Sequence, residues 1–298
     1  DVALGIGDDA AILRVPEGQE LAVSVDSLVA GVHFPVGLAA DSIGHRALAV
    51  NLSDLAAMGA QPAWALLALT LPENDEGWIA DFARGFFALA QGFGVALVGG
   101  NLAHGPLNVG VTVHGFTPAG QALTRKGARP GDHIFVTGYP GDAAAGLEML
   151  QSGADPHDQN QSVRRFGFPE PRIAAGLRLR GVASAMIDIS DGLAADLDHI
   201  LEASEVGAWI DVERLPLSPS LLKQRSREQA QALALSGGDD YELCFSVSPE
   251  RLVLLESRKP TLGCAVTPIG EITAAENLRV IKQDGSDWLL NHTGYKHF

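Results

Sequence analysis

Segments with the two-residue periodicity of β-strands alternate along this chain with segments of helical periodicity. Strand character marks residues 20–28, 64–72, 95–101 and 107–116, and helical character marks residues 41–58 and 74–94. Asn74 is expected to cap the second helix. The turn, strand, turn and helix of residues 128–150 open a second group, and the polar residues 151–171 are expected to form a loop. This alternation predicts an α/β fold or mixed α+β layers.

The domain division is expected where the second group of elements opens. A chain of 298 residues can form one large domain or two ordinary ones. We favour a boundary near residues 117–128. The expected N-terminal domain then covers residues 1–117, and the expected C-terminal α/β domain covers residues 128–298. The chain opens almost in mid-strand, which suggests that an N-terminal piece is missing.

The charge limits the classes of partner. The formal net charge is −15, from 21 Lys and Arg against 36 Asp and Glu. Because nucleic-acid binding depends on cationic side chains, this charge argues against nucleic acid as a partner. It does not exclude small anionic substrates if metal cations mediate their binding.

Hydropathy and cysteine usage bear on the compartment. No apolar stretch is long enough to span a bilayer, and no signal peptide precedes the first residues. Cys244 and Cys264 lie in apolar strand-like runs and are expected to be buried free thiols of a reducing compartment. We therefore predict a cytoplasmic protein without a membrane partner.

Carboxylates recur where the predicted strands end. They are Asp8, Asp9, Asp26, Asp54, Asp188, Asp191, Asp239 and Asp240, all in runs that also contain glycine or serine. Several such runs in one chain suggest sites for a hard cation, since Mg²⁺ takes oxygen ligands and usually one or two carboxylates plus substrate phosphate. Asp196 and Asp198 lie off the apolar stripe of the helix that follows residue 192, and they are expected to face solvent.

Asp54 is the best single candidate among these acids. On a helical wheel it lies on an apolar face of its helix, where a carboxylate is costly without a partner. A metal ligand, an N-cap and a buried ion pair remain open as explanations. The glycine pairs in "VGGN" and "SGGDD" could bring backbone N–H groups near phosphate, although such pairs usually form only turns.

Several catalytic patterns are absent from the sequence. There is no G-x-x-x-x-G-K-[ST] phosphate loop, no complete dinucleotide fingerprint, no H-E-x-x-H zinc pattern and no G-x-S-x-G elbow. No residue stands out as a general base. His33, in "AGVHF", reads from its spacing alone as a structural histidine.

Six motifs together resemble one family. "GIGDDAAI", "VNLSDLAAMGAQPAW", "LALTLP", "ALTRKGARPGD", "IDISDGL" and "LSGGDDYELCF" occur in this order across nearly the whole chain. They resemble the thiamine-monophosphate kinases, members of the ATP-binding superfamily that includes aminoimidazole ribonucleotide synthetase. The resemblance implies two α/β domains in each chain and a homodimer in which the N-terminal domains pair, with ATP in the cleft.

The resemblance also implies a reaction and a set of site residues. The reaction is the transfer of phosphate from ATP to thiamine monophosphate through several Mg²⁺ ions. The implied metal ligands are Asp9, Ser24, Asp26, Asp54, Asn101, Asp188 and Asp191; the implied nucleotide contacts are Gly100, Asn101, Arg125 and Ser190; and the implied thiamine contacts are His33, Asp239 and Tyr295. A phosphate oxygen of the acceptor is already anionic, so no catalytic base is expected, and metal ions would align and neutralise the two polyanions.

The chain departs from the family pattern at three places. Asn101 stands where the family usually has an aspartate after the glycine pair, and an amide oxygen brings less charge to a metal. Val25 stands where the family often has threonine, which removes a hydroxyl beside Asp26. The family's leading segment, about two helical turns or more, has no counterpart in this sequence.

Besides an acidic structural or cation-buffering protein, which would bind no nucleotide at all, two other functions remain to be distinguished. One is another ATP-using enzyme of the same superfamily, although this chain has neither the N-terminal reactive cysteine of selenophosphate synthetases nor the C-terminal cysteine of the hydrogenase maturation factor. The other is a non-catalytic nucleotide-binding relative in which Asn101 has disabled one metal site. Measured turnover separates that relative from an enzyme.

Overall fold

The computed structural model describes residues 2–275, 277–289 and 294. Its strands are β1 (Val2–Leu4), β2 (Ile12–Leu13), β3 (Gln19–Val29), β4 (Gln61–Leu71), β5 (Ala96–His104), β6 (Asn108–Pro118), β7 (His133–Thr137), β8 (Ala185–Asp188), β9 (Gly207–Asp211), β10 (Leu243–Val247), β11 (Val266–Thr273) and β12 (Leu278–Ile281). Its α-helices are α1 (Ala40–Ala57), α2 (Glu76–Phe93), α3 (Asp142–Gln151), α4 (Gln161–Gly167), α5 (Ile173–Leu179), α6 (Leu193–Ser204), α7 (Pro219–Gln224), α8 (Arg227–Ser236) and α9 (Leu252–Arg258). The predicted α/β fold is confirmed.

The N-terminal half forms a four-stranded sheet in the order β3-β6-β4-β5. The β3–β6 and β4–β6 pairs are antiparallel, whereas β4 and β5 run parallel. Helix α1 packs on one face, where alternate residues of β6 such as Val111 and Val113 are fully buried. On the opposite face Val23 is 55% and Val25 63% exposed. The alternation of apolar residues thus buries one face of this sheet, while the other face, on which Trp64 and Phe116 are also buried, is open around Val23 and Val25.

The C-terminal half forms a six-stranded sheet among the described residues, in the order β12-β9-β11-β7-β10-β8. Helix α6 packs on it through the predicted apolar stripe, and Leu193, Leu197 and Ile200 are buried. One apolar cluster contains Val111 of the first sheet and Phe245 of the second, so the two halves share a core. This shared core fixes α1 against β8, which is where the candidate site lies.

Two local predictions are wrong. Residues 161–167 form helix α4 inside the expected loop: the Asn160 side chain accepts a hydrogen bond from the backbone of Ser162, and Val163 and Phe166 are buried. A helix of this length is too short to show a clear period in the sequence. The cap of α2 is Asp75, not its neighbour Asn74, and both residue types are good caps. Within the described ranges, no helix has the length and apolar character needed to cross a membrane.

Candidate active site

A cavity of about 690 Å³ opens where β3 and α1 meet the turn after β8 and the loop before β10. It is lined by the predicted site residues Asp26, His33, Asp54, Arg125, Asp188, Ser190, Asp191 and Asp239, together with Tyr241 and apolar residues of the 28–35 loop. These residues come from segments more than 150 positions apart in the chain. The fold therefore gathers acids that sequence reasoning had noted only as separate motifs.

A second cavity of about 240 Å³ adjoins the first. Asp54, Arg125 and Asp188 line both cavities, and the smaller one adds Ser24 together with apolar side chains such as Met58. The two aspartates therefore lie at the junction of two separate spaces. Such a junction suits a reaction in which two substrates approach a common set of charged groups from different sides.

Asp54 and Asp188 are held by serine hydroxyls. Ser24 Oγ donates to Asp54 Oδ2 at 2.5 Å, and Ser53 Oγ donates to Asp188 Oδ2 at 2.7 Å. Among the described residues, neither carboxylate forms an ion pair with a lysine or arginine. The hydroxyls orient both side chains without neutralising them.

The electrostatics of these two carboxyls favour a cation. The pKa of Asp54 is raised to about 6, mainly by burial and in part by the charge of Asp26, against the Ser24 hydrogen bond and the charge of Arg125. Burial and then the charge of Asp54 raise the pKa of Asp188 to about 8, against the Ser53 hydrogen bond. A bound cation would favour the charged form of both groups.

Asp196 holds the turn between Asp188 and α6. Its Oδ2 accepts hydrogen bonds from the backbone N–H groups of Ser190 and Asp191 at 3.0 Å and of Gly192 at 3.1 Å. The side chain is 3% exposed, so the prediction that Asp196 faces solvent is wrong, whereas Asp198 is exposed as expected. An acid in the first turn of a helix, where backbone N–H groups lack helical partners, was the available signal.

Arg46 is the site residue that sequence reasoning missed. It lies on α1 with 1% of its surface exposed and forms an ion pair with Asp239 Oδ1. A charged side chain within the apolar run "GHRALAV" was the signal that could have identified it, because a buried charge needs a partner. Tyr241 also donates from its hydroxyl to Asp239 Oδ1, at 3.0 Å.

His33 combines a structural contact with a place in the cavity wall. Its Nδ1 accepts a hydrogen bond from the backbone N–H of Val29 at 3.0 Å, so in the neutral ring the proton lies on Nε2. The structural interpretation of the spacing and the thiamine contact implied by the resemblance are therefore compatible.

Three predicted residues, Asp9, Gly100 and Asn101, line neither of the two cavities within the single chain, and a fourth falls outside the described residues. Asp9 lies in an exposed turn, and Asn101 is exposed on the edge strand β5. Register places Gly100 in the same cross-strand row as Asp26, but Asn101 in the row of Ser27, on the opposite face. Three strand spacings, roughly 14 Å, separate β5 from β3. Tyr295 lies outside the described residues.

The donor set fits Mg²⁺ as a partner of phosphate. Within the described ranges, no three His, Cys, Asp or Glu side chains converge closely enough to hold an ion by themselves. Mg²⁺ typically uses one or two carboxylates and completes its shell with water and substrate phosphates. The hydroxyl and carboxylate oxygens around Asp54 and Asp188 match that pattern, because the nucleotide itself would supply the remaining ligands.

Family models match both halves of the chain. The model for the AIR synthase related protein N-terminal domain matches residues 7–117, and the model for the C-terminal domain of the same family matches residues 129–283. Thiamine-monophosphate kinase of Escherichia coli (strain K12) is 50% identical over 302 residues, which cover 100% of this chain and 93% of that protein.

Solved structures of similar proteins share the overall fold of this chain. The crystal structure of thiamine-monophosphate kinase from Stenotrophomonas maltophilia K279a aligns with a TM-score of 0.90 and 45% identity, over 97% of this chain and 92% of that chain. The structure of AaThiL complexed with AMPPCP and TMP aligns with a TM-score of 0.83 and 33% identity, over 98% of this chain and 92% of that chain.

Proposed function

The chain belongs to the thiamine-monophosphate kinase family, within the AIR synthase related proteins, and we propose that it transfers the γ-phosphoryl group of ATP to thiamine monophosphate. The products are ADP and thiamine diphosphate. The observation that carries this proposal is the pair of carboxylates, half-buried Asp54 and buried Asp188, at the junction of two cavities. The similar AaThiL structure is complexed with AMPPCP and TMP, which supports the same pair of substrate classes here.

The two cavities offer a place for each substrate. The thiamine side is the larger cavity, where His33 and Asp239 line the wall. The nucleotide side lies toward Ser24 and Arg125, and Arg125 supplies positive charge to both cavities. The transferred phosphoryl group then lies between them, next to Asp54 and Asp188.

Mg²⁺, when bound, neutralises the phosphates and aligns the attacking and leaving oxygens. Asp26, Asp54, Asp188 and Asp191 would hold several ions from the walls of the larger cavity, with Ser24 adding an oxygen from the smaller one. The chain's own work is orientation: Ser24 and Ser53 fix the carboxylates, and Asp196 fixes the turn that carries Ser190 and Asp191.

No protein base is required in this scheme. The attacking atom is a phosphate oxygen of thiamine monophosphate, which is anionic at neutral pH and carries no proton that must be removed. The reaction is therefore a direct in-line displacement within a ternary complex. Trapping a phosphorylated protein, or observing ping-pong kinetics, would contradict this step.

A homodimer is part of the proposal. The open face of the N-terminal sheet exposes Leu21 by 43%, Val23 by 55% and Val25 by 63%. Contiguous apolar surface of this kind marks an interaction site. Pairing through this face would also cover Asn101, which lies on it. We place Asn101 and Asp9 at the nucleotide site in the dimer. Sedimentation of the wild-type protein and of Val25→Asp tests the dimer itself: the wild type should be a dimer and the variant a monomer.

The closing test of the function is direct. The protein is incubated with ATP, Mg²⁺ and thiamine monophosphate, and thiamine diphosphate and ADP are measured by chromatography. Equal amounts of both products are expected, and Asp188→Asn serves as the inactive control. Nucleotide binding without product would favour a non-catalytic relative, and ATP use with a different acceptor would favour another enzyme of the superfamily.

The free thiols of Cys244 and Cys264 accord with a proposed cytoplasmic location.

A further inference from the structure

We infer that Arg46 is a positioning residue for the phosphate acceptor: its guanidinium holds the Asp239 carboxylate, and the loop that carries it, in the orientation that binds thiamine monophosphate. This inference rests on the proposed function, because it takes Asp239 as a substrate contact. Arg46 itself does not line the cavity, so it acts through Asp239.

The guanidinium of Arg46 is held on several sides. Nη1 donates to the backbone carbonyl of Phe166 at 2.9 Å, and Nη2 donates to Asp239 Oδ1. The guanidinium carbon lies 4.2 Å from the centre of the Phe166 ring and 5.5 Å from that of Tyr241. This planar fork bridges α4 and the 239–241 loop from a fixed position on α1, which a lysine could not reproduce.

The loop that Arg46 holds has an unusual backbone. Asp239 has φ 62° and Tyr241 φ 50°, a region that residues other than glycine rarely adopt. The N–H of Asp239 donates to the carbonyl of Ser190 at 2.7 Å, and the N–H of Tyr241 donates to that of Ile189 at 2.8 Å. The loop is thus fastened to the turn that carries Asp191, and backbone strain of this kind persists only where surrounding contacts determine it.

Charge and burial make Arg46 and Asp239 depend on each other. The Arg46 side chain is 1% exposed, whereas that of Asp239 is 27% exposed and lines the cavity. A buried cation needs an anion, and here the anion is the carboxylate proposed to meet the substrate. Arg46 and Tyr241 both contact Oδ1, and no hydrogen bond from the described part of the chain reaches Oδ2, so Oδ2 is the atom left for a ligand. Arg46 therefore sets which oxygen of Asp239 is presented.

A purely structural role for Arg46 makes a different prediction. Arg46 also holds the carbonyl of Phe166, and its loss could loosen the packing of α4. General loosening would weaken the binding of both substrates, or lower the stability of the protein, without selectivity for the acceptor. If Arg46 acts through Asp239, its loss weakens the binding of thiamine monophosphate alone, because Asp239 lies on the thiamine side of the carboxylate pair.

The experiment compares Arg46→Lys, Arg46→Met and Tyr241→Phe with Arg227→Met, a control in which an exposed arginine paired with Glu213 is lost. KM and kcat are measured for thiamine monophosphate and for MgATP separately, with the unfolding temperature of each variant. We expect the KM for thiamine monophosphate to rise about tenfold in Arg46→Lys and about a hundredfold in Arg46→Met, with the KM for MgATP within about twofold of wild type. Tyr241→Phe keeps the ion pair and should show a smaller rise in the same KM.

A double-variant cycle tests the path through Asp239. In an Asp239→Asn background, Arg46→Lys should add little to the KM for thiamine monophosphate, because Arg46 acts only through the carboxylate that Asp239→Asn has already removed. Equal increases in both KM values, an unchanged acceptor KM in folded Arg46→Lys, or full additivity with Asp239→Asn would overturn the inference. If Arg46→Met does not fold, Arg46→Lys and Tyr241→Phe still decide. A wild-type protein that makes no thiamine diphosphate would instead overturn the proposed function.

Discussion

Asp54 and Asp188 receive hydrogen bonds from serine hydroxyls, whereas Asp239 and Glu242 are each paired with a buried arginine. Arg172 binds Glu242 through two hydrogen bonds, from Nε to Oε2 at 2.6 Å and from Nη2 to Oε1 at 2.5 Å. Both pairs of acids lie in the same part of the molecule, yet among the described residues only Asp239 and Glu242 form ion pairs with arginine. From this difference we infer that the uncompensated pair, Asp54 and Asp188, is left for a metal cation that binds together with the substrates, while the compensated pair, Asp239 and Glu242, fixes the loop between these two residues.

The largest expected effect is a loss of activity without a loss of stability when Asp54 or Asp188 is substituted. Asp54→Asn and Asp188→Asn should each lower kcat by at least about a hundredfold, because each removes a proposed metal ligand without changing side-chain volume. Neither should lower the free energy of unfolding measured by urea titration without Mg²⁺, since each removes one of two mutually repelling carboxyls, of which Asp188 is buried and Asp54 half-buried. Near-normal turnover of both variants, or marked destabilisation of both, would remove these residues from the metal site.

The compensated pair should respond in the opposite way. Glu242→Gln leaves the buried Arg172 guanidinium with only the exposed carboxylate of Glu170, and breaking a buried ion pair in this way costs about 3–5 kcal/mol of stability. Urea unfolding measures this loss, and the double variant Arg172→Met/Glu242→Leu serves as control, because removing both charges should cost less than removing one. Equal losses in the single and double variants would show that packing, not the ion pair, determines the stability.

The smallest expected effect concerns Asn101. If position 101 contacts a metal ion in the dimer, Asn101→Asp adds a negative charge there and should lower the Mg²⁺ concentration needed for half-maximal activity. Each 1.4 kcal/mol gained corresponds to about a tenfold change in affinity. A Mg²⁺ titration at saturating ATP compares the variant with wild type. Superimposable curves would remove Asn101 from the metal site and leave it only a place in strand β5.

Most long helices and strands and the acids of the candidate site could be predicted from the sequence, but not every partner of those acids. Periodicity located α1, α2 and the main strands, and runs of acids beside glycine or serine identified Asp54 and Asp188. Periodicity could not reveal α4, which has less than two full turns of pattern. Arg46 and Asp239 meet across 193 positions, and such a contact is set by tertiary packing that no local pattern records.

The role of Asp196 was missed for a related reason. Its place off the apolar stripe of α6 suggested solvent exposure, but the preceding turn folds over it and donates three backbone N–H groups. Whether a polar residue beside a stripe is exposed or covered depends on the neighbouring loop, which the helical period does not describe.

If Asp54 and Asp188 form a cation site, protons and metal ions compete for them, and a change of pH tests this competition most directly. With their pKa raised to about 6 and about 8, the folded protein without metal holds protons that the unfolded chain has already released. Its stability should therefore fall as pH rises through this range. Mg²⁺ competes with those protons, so its stabilising effect should grow over the same interval.

The measurement is the rise in unfolding temperature caused by Mg²⁺ with a non-hydrolysable ATP analogue, at pH 6 and pH 8, for wild type and Asp188→Asn. Titration of the nucleotide is common to both proteins and cancels in the comparison. We predict a larger rise at pH 8 than at pH 6 in the wild type, and a smaller difference in Asp188→Asn. The same difference between the two pH values in both proteins would contradict a cation site at Asp54 and Asp188.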